Sequence, residues 1–430
     1  MSLSRRRLLQ LTGAGSLASL GTTSFGTAPL GAAEAAAADE LPAPIRELAD
    51  ATAGIDPIAV GEHQARLERA RALLGKRGID ALVVGPGTSL TYFTGAQWGL
   101  SERFFGMVLT AKGDPAWVTP AFEQLRAEEQ IRIGKDVRAW QEDESPYAAI
   151  AAILRERGVA TGKVGLEERL PFAFADGIAK ALPGATPTSG TPVSAGCRMI
   201  KDAHELALMR RANEITMRAH RAVFASLRPG MAHDQAVRWT VEAHRKLGVD
   251  GGALVLFGAD AAFPHGTTKP KALAAGDVVL IDGGCDLHGY SSDISRTAVF
   301  GAPPTDRQRK IWDLVRQAQD TAFRTVRPGV ECQAVDAAAR KVIVDAGFGP
   351  DYKFFTHRLG HGIGMDGHEH TYFVRGNTTK LEPGMCFSDE PGIYIPGEMG
   401  IRHEDIIFVT EGGAENMTKW TGTPEDPAVL

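Results

Sequence analysis

The feature that most constrains this sequence is a pair of hairpin patterns with a carboxylate on each arm. In the stretch Asp277–Phe300, two aliphatic and β-branched runs flank a polar, glycine-containing turn at Asp286–Gly289. A turn centred just before His288 places Asp282 directly opposite Asp293 on neighbouring strands. Like charges opposite each other destabilise a sheet, and two carboxylates that share a site resist ionising together. A bound divalent cation removes that penalty.

The second hairpin pattern repeats the arrangement in the stretch Asp389–Thr410. Its turn signal is Pro396-Gly397, and a turn centred there places Glu390 opposite Glu404. Three histidines among glycines lie between the two hairpins: His357, His361 and His368. Two Asp, two Glu and one His form a hard, oxygen-rich ligand set, which suits two divalent ions bridged by carboxylates. The set favours manganese, although cobalt and zinc also fit.

These motifs resemble those of the pita-bread metallopeptidases, in particular the Xaa-Pro dipeptidases and Xaa-Pro aminopeptidases, across residues 60–420. The resemblance is carried by FPHGTT, IDGG, SSDISRT, HRLGHGIG, DEPGIY and IRHEDI. It implies an α+β fold, with a pseudo-twofold pita-bread catalytic domain behind a smaller α/β creatinase-type N-terminal domain, and it implies a homodimer. It also implies five metal ligands: Asp282, Asp293, His361, Glu390 and Glu404.

The resemblance further implies an activity, the hydrolysis of the bond before proline in dipeptides or short peptides. The attacking group would be a hydroxide that bridges two metal ions. His265 and His368 match positions that contact the substrate or stabilise the tetrahedral intermediate, and Glu390 would carry a proton as well as bind metal. Arg402 would support the ligands, and His357 matches another pocket histidine. Aromatic residues that could line a proline pocket are Tyr394, Tyr372 and Phe373.

Substrate length is open between dipeptides and longer peptides. A dipeptidase needs a cation that holds the free carboxylate beyond the scissile bond, whereas an aminopeptidase must leave that direction open. Arg375, in HEHTYFVRGN, could bind a carboxylate through two hydrogen bonds and therefore favours dipeptides slightly. A solvated loop arginine is an equally good interpretation. Other activities on this fold also stay open: ectoine-hydrolase-like cleavage of another C–N bond, a metal-dependent lyase reaction, or binding without catalysis.

Composition divides the 430 residues into segments. Arg5-Arg6-Arg7 and the apolar, small-residue stretch behind it resemble a twin-arginine signal peptide, which we assign to residues 1–38. This signal predicts a periplasmic or secreted protein with no stable membrane span after its removal. Residues 39–60 form a lead-in segment, residues 61–190 the creatinase-like N-terminal domain, and residues 198–430 the catalytic domain.

Local patterns predict the main elements. Helical spacing predicts helices from Gly61 to Lys76, where Gly78 follows as the stop, from Pro146 onwards, and from Asp202 onwards. Residues 184–195, rich in Gly, Pro, Ser and Thr, mark the boundary between the domains. The strands that we predict are Asp80–Val84, Gly106–Thr110, Ala116–Thr119 and Val164–Leu166. The similar segments LRPGMAHDQAV and VRPGVECQAV indicate a duplicated catalytic domain.

Charge and cysteine usage exclude some classes of protein. A net charge of −5 gives no basic surface for nucleic acid. Four widely spaced cysteines show no metal-binding spacing and are predicted to be buried thiols without an essential disulfide. Trp98, in TGAQWG, has two interpretations, a packed loop tryptophan or a residue that reaches a substrate pocket, and we favour the packed loop.

Overall fold

In a computed structural model of the protein, residues 40–428 are described. The predicted signal peptide, residues 1–38, lies outside the described residues, so export by the twin-arginine route stays a prediction. Within the described part of the chain, no helix is long and apolar enough to cross a membrane.

The N-terminal part is a six-stranded sheet with helices packed on both faces. The strand order is β4-β3-β2-β1-β5-β6, and β2 runs antiparallel to its neighbours β1 and β3. Alternate residues of β1 enter two separate apolar cores, Leu82 on one face and Val83 on the other. The strands are β1 Ala81–Val84, β2 Gly106–Thr110, β3 Ala116–Pro120, β4 Asp136–Trp140, β5 Lys163–Leu166 and β6 Thr186–Ser189. The helices are α1 Ala43–Arg46, α2 Val60–Arg77, α3 Thr88–Thr94, α4 Gln124–Gln130, α5 Pro146–Glu156, α6 Phe172–Ala181 and α7 Thr191–Met199.

The predicted elements of this part are confirmed to within two residues at their ends. Gly78 ends α2 in the left-handed conformation with φ of 63°, and Ser145 precedes Pro146 at the start of α5. The segment 184–195, which marks the predicted domain boundary, forms β6 and the start of α7. β6 pairs with β5 as the outer strand of the sheet, where a proline is tolerated.

The C-terminal part consists of two helix pairs over antiparallel sheets. β7, β8 and β10 form one sheet with the short β9, and a second sheet has the order β12-β11-β13-β16-β17. The helices are α8 Ala203–Phe224, α9 His233–Lys246, α10 Asp306–Thr325 and α11 Cys332–Ile343. The first strands are β7 Asp250–Phe257, β8 Val278–Leu287, β9 Tyr290–Ser291, β10 Ile294–Val299, β11 Gly360–Gly362 and β12 Glu369–Phe373. The last strands are β13 Cys386–Asp389, β14 Gly392–Ile395, β15 Met399–Arg402, β16 Asp405–Val409 and β17 Ala414–Asn416.

The duplicated sequence corresponds to a duplicated helix pair. The helix predicted from Asp202 is α8, which Asp202 caps, and the two Arg-Pro-Gly turns join α8 to α9 and α10 to α11. Their glycines, Gly230 and Gly329, have φ of 76° and 85°. The glycines that follow the second helix of each pair, Gly248 and Gly347, both have φ of 91°. Glycine adopts this left-handed conformation without steric cost, so the repeated spacing reflects a repeated backbone path.

The register predicted for the first hairpin is wrong by two residues. Asp282 lies opposite Ser295, not Asp293, because the turn is centred between His288 and Gly289. Both turn residues have positive φ, 53° and 87°, as a tight two-residue hairpin turn requires. Side chains alternate between faces with a period of two. A two-residue shift therefore leaves Asp293 on the same face as Asp282.

The register of the second hairpin is confirmed. Gly392 pairs with Arg402 in β14 and β15, and Cys386 pairs with Phe408 in β13 and β16. The hairpin is interrupted between these two ladders, and Glu390 and Glu404 lie in the interruption. A single bridge from Glu404 to Ser295 connects this hairpin to the first one.

The structure supports buried free thiols for the cysteines and a packed loop position for Trp98. All four cysteines are free and buried, as predicted. Trp98 stacks on Phe105 with ring centroids 4.0 Å apart, and the guanidinium of Arg126 lies 4.2 Å from its ring centroid. Trp98 is therefore a packed loop tryptophan within this chain.

A substitution at Gly400 tests how closely the second hairpin packs against Ala261. A Cβ atom at this position would lie 1.8 Å from the carbonyl oxygen of Ala261. We expect Gly400→Ala to lower the free energy of unfolding by at least about 1–3 kcal/mol, the usual cost of overpacking. Gly412→Ala is the matched control, because a Cβ there meets nothing within 4 Å. Urea unfolding followed by circular dichroism measures both, and equal stability of the two variants would contradict this packing.

Candidate metal centre

Six side chains from the two hairpins and the intervening loop form one cluster. The side chains form three overlapping groups, and within each group the ligand atoms lie within 4.8 Å of one another. The groups are Asp282, Asp293 and Glu404; His361, Glu390 and Glu404; and Asp293, His361 and His368. Together they contain all five side chains that the resemblance implies as ligands, with His368 in addition. We call these six residues the carboxylate–histidine cluster.

Arg402 and Ser295 bind the carboxylates of the cluster from behind. Arg402 donates through Nη2 to Asp282 at 2.5 Å and through Nε to the hydroxyl of Ser295 at 2.9 Å. The Ser295 hydroxyl lies 2.7 Å from both Asp282 and Glu404. Because Ser295 belongs to one hairpin and Glu404 to the other, these contacts join the two hairpins at the cluster.

The cluster carries more negative charge than Arg402 balances. Burial raises the pKa of Asp282, but Arg402 and Ser295 more than offset it, so this pKa lies below its usual value. Burial and the neighbouring carboxylates raise the pKa values of Asp293 and Glu404 well above their usual range. Burial also raises the pKa of Glu390 to about 7. Crowded carboxylates resist losing their protons, and a divalent cation would stabilise their ionised forms. This donor set therefore fits metal.

His361 is held as a neutral imidazole that faces the carboxylates. Its Nδ1 lies 3.1 Å from the carbonyl oxygen of Gly362, which leaves Nε2 towards Glu390 at 3.3 Å and Asp293 at 3.7 Å. Burial and the adjacent His368 lower the pKa of His361 to about 3. A neutral imidazole oriented by a carbonyl through its other nitrogen is the form that ligates metals.

His368 and His265 lie at the open side of the cluster. The ring of His368 stacks on His361 with centroids 3.6 Å apart and planes 17° apart. Arg358 reaches His368 Nδ1 at 3.4 Å and lies 4.1 Å from the ring centroid of Tyr372. His265 is exposed in the loop after Pro264, whose carbonyl accepts a hydrogen bond from Arg402 at 3.3 Å. Both histidines are therefore accessible to a ligand.

The proposed aromatic pocket is not formed by Tyr394 and Phe373. Tyr394 is 2% exposed, and its hydroxyl joins His357 Nε2 at 2.8 Å to Arg402 Nη1 at 2.9 Å. Phe373 is fully buried and stacks on Phe387 in the core. Tyr394 thus contacts the side chains behind the cluster, and its ring does not face open solvent.

Arg375 does not join the cluster. Its side chain is 57% exposed and pairs with Asp351 at 2.5 Å on the surface. Besides Arg402, the cluster is contacted by Arg358, which the sequence interpretation missed although it lies within HRLGHGIG. Ser295 was missed as well. It lies two residues beyond Asp293 and therefore on the same face of the chain, a signal that could have identified it.

Comparisons with known proteins agree with this architecture. Residues 66–200 match the model of the Creatinase/Prolidase N-terminal domain, and residues 207–411 match the model of Metallopeptidase family M24. The probable dipeptidase PepE of Mycobacterium tuberculosis is 38% identical over 357 residues, which cover 81% of this chain and 92% of that protein. The Xaa-Pro dipeptidase of Lactobacillus delbrueckii subsp. lactis is 34% identical over 359 residues, which cover 82% and 96%.

A solved structure shows the same fold. The crystal structure of dipeptidase PepE from Mycobacterium ulcerans matches with a TM-score of 0.80 at 34% identity, and covers 86% of this chain and 99% of that one. The creatinase-type domain ahead of a pita-bread domain confirms the predicted fold class. The chain belongs to metallopeptidase family M24.

The raised pKa of Glu390 predicts how pH affects the metal-free protein. Between the usual value of 4.5 and about 7, the folded chain holds a proton on Glu390 that the unfolded chain has lost. Stability therefore falls as pH rises through this interval, by up to about 1.4 kcal/mol per pH unit for this proton. We expect Glu390→Gln to flatten the decline in melting temperature between pH 5 and 8 in excess chelator. An unchanged slope in this variant would contradict the assignment.

Proposed function

We propose that the protein is a dinuclear metal-dependent Xaa-Pro dipeptidase. The observation that carries the proposal is the convergence of Asp282, Asp293, His361, Glu390 and Glu404 in one buried cluster. The relatives named dipeptidase and Xaa-Pro dipeptidase support a peptide substrate. The oxygen-rich ligand set favours manganese, with cobalt and zinc as the other candidates.

The five ligands would hold two divalent ions. When bound, such ions supply Lewis acidity that lowers the pKa of an attacking water and polarises the scissile carbonyl. The protein's own groups orient the ligands. Arg402 and Ser295 fix Asp282, while Ser388 donates to Glu390 at 3.0 Å. Because these supporting groups are buried, the geometry of the ligands does not depend on solvent.

Proton transfer and substrate contacts fall to the remaining groups. We assign to Glu390 the acceptance of the proton from the attacking water and its delivery to the leaving amine, because its carboxylate is in the cluster beside His361. His368 and His265, accessible at the open side, would donate hydrogen bonds to the oxygen on which charge develops. His357 acts behind them, through its contact with Tyr394.

Arg358 is the group that we assign to the free carboxylate of a dipeptide. It is half-buried and lies beside His368 at the open side of the cluster, where the proline end of a substrate would extend. A guanidinium in this position can bind a carboxylate through two parallel hydrogen bonds. Arg375, engaged with Asp351 on the surface, no longer supports a preference for dipeptides.

Two further properties are predictions of the same kind. The twin-arginine pattern at Arg5-Arg6-Arg7 supports a periplasmic or secreted location, and the resemblance supports a homodimer.

A substrate panel separates the proposed activity from its alternatives. Hydrolysis of non-proline amides, or lyase activity, without cleavage of Xaa-Pro peptides would replace the proposal with another reaction of this fold.

Asp282→Asn tests the metal dependence. Loss of one ligand charge is expected to remove bound metal and lower kcat/KM on an Xaa-Pro dipeptide by at least about 100-fold, more than loss of a supporting partner costs. Asp286→Asn is the matched control, because Asp286 lies on the same strand and accepts only from Gly289 N at 2.8 Å. Elemental analysis and initial rates measure both variants. Full activity of wild-type protein in a thoroughly chelated sample would refute the proposal.

Arg358→Ala tests the assignment of the carboxylate. We expect it to weaken cleavage of an Xaa-Pro dipeptide by about 1.5–3 kcal/mol, the worth of a hydrogen bond to a charged group. The matching Xaa-Pro amide, which lacks the carboxylate, should lose much less, so the ratio of the two kcat/KM values is the measurement. Arg375→Ala is the control and should leave this ratio unchanged. Equal losses on acid and amide would remove Arg358 from substrate binding.

A further inference from the structure

The loop between β11 and β12 carries His368 and is flanked by two carboxylates. Asp366 precedes His368, and Glu369 follows it as the first residue of β12. Neither carboxylate belongs to the carboxylate–histidine cluster. Both instead point towards the end of α7, in the N-terminal half of the protein. The chain is therefore anchored just before and just after His368 by contacts that lie outside the cluster.

Arg198 on α7 binds both of these carboxylates. Its side chain is 4% exposed, and Nη2 contacts Asp366 and lies 2.5 Å from Glu369. Lys201 is equally buried and binds the other oxygen of Glu369 at 2.5 Å. The charges on Arg198, Lys201, Asp366 and Glu369 thus compensate one another away from water.

Two more groups of the N-terminal half hold Asp366. Thr88, the first residue of α3, donates to Asp366 Oδ1 at 2.6 Å, and Arg169 donates to the same oxygen at 2.9 Å. The loop that carries His368 is therefore held by residues that precede the metallopeptidase domain in sequence. Ion pairs of this kind add little net stability, because desolvation offsets the attraction, but they restrict geometry.

A cavity gives His368 room to move if these contacts are lost. It has a volume of about 80 Å³, and its walls include Arg198, Asp366, His368 and Tyr372. A cavity of this size is large enough to hold water. Close packing alone does not fix the imidazole on this side.

We propose that Arg198 is a positioning residue that holds His368 against His361 in the pose needed for catalysis. Arg198 acts through the paired carboxylates on either side of His368. A lysine keeps the charge but offers a single ammonium, so it cannot reproduce the forked contact with both partners. This inference rests on the proposed function only for the part that His368 plays in the reaction.

Arg198→Lys tests the proposal, with Arg66→Lys as the matched control. Arg66 is equally buried and also joins the two halves of the protein, through Glu205 at 3.2 Å and Tyr290 at 2.6 Å. We expect Arg198→Lys to lower kcat by between about 10- and 100-fold, the cost of a small misplacement, with metal content and KM little changed. Arg66→Lys should lower the melting temperature without this loss of kcat.

Two measurements separate positioning from a merely structural role. Hydrogen–deuterium exchange of residues 363–370 should quicken in Arg198→Lys and not in Arg66→Lys, whatever the substrate is. In a His368→Ala background, Arg198→Lys should cause no further loss of kcat. Unchanged exchange in this segment, equal kcat losses in the two lysine variants, or additive losses with His368→Ala would overturn the proposal. A wild-type protein that cleaves no Xaa-Pro substrate would refute the proposed function, and the exchange experiment would still decide the position of His368.

Discussion

The arrangement of the site depends on the contact between Arg402 and Asp282. Four carboxylates brought together in a largely buried position repel one another, and the guanidinium at 2.5 Å outweighs that cost only for Asp282. The remaining carboxylates hold their protons more tightly than usual. This donor set therefore fits divalent cations, which would offset the repulsion among the carboxylates. Arg402 also donates hydrogen bonds to the hydroxyls of Tyr394 and Ser295, so the positions of these two side chains depend on it.

Much of the fold and of the site could be predicted because local and distant signals agreed. Gly78 ends a helix through its backbone conformation, Asp202 begins one through its side-chain carboxylate, and both helix ends were predicted correctly. The second hairpin was predicted in register because its Pro-Gly signal marks the turn directly. That register places Glu390 opposite Glu404, which brings the two carboxylates together.

The errors arose where the structure depends on packing that a sequence does not display. The first hairpin turns at His288-Gly289, and a histidine with positive φ is too uncommon to predict from composition. Tyr394 and Phe373 alternate into the interior, which becomes evident only when the neighbouring sheet is present. The roles of Arg358 and Arg375 are similarly determined by their partners, since either arginine could reach a carboxylate in an extended chain.

The repeated helix pairs and the bridge from Ser295 to Glu404 together bear on how such a centre arises. The first repeat supplies Asp282 and Asp293, whereas the second supplies His361, Glu390 and Glu404. Neither repeat contains a complete ligand set. The cluster therefore forms only where the two repeats meet, so its geometry depends on the packing between them as well as on either repeat alone.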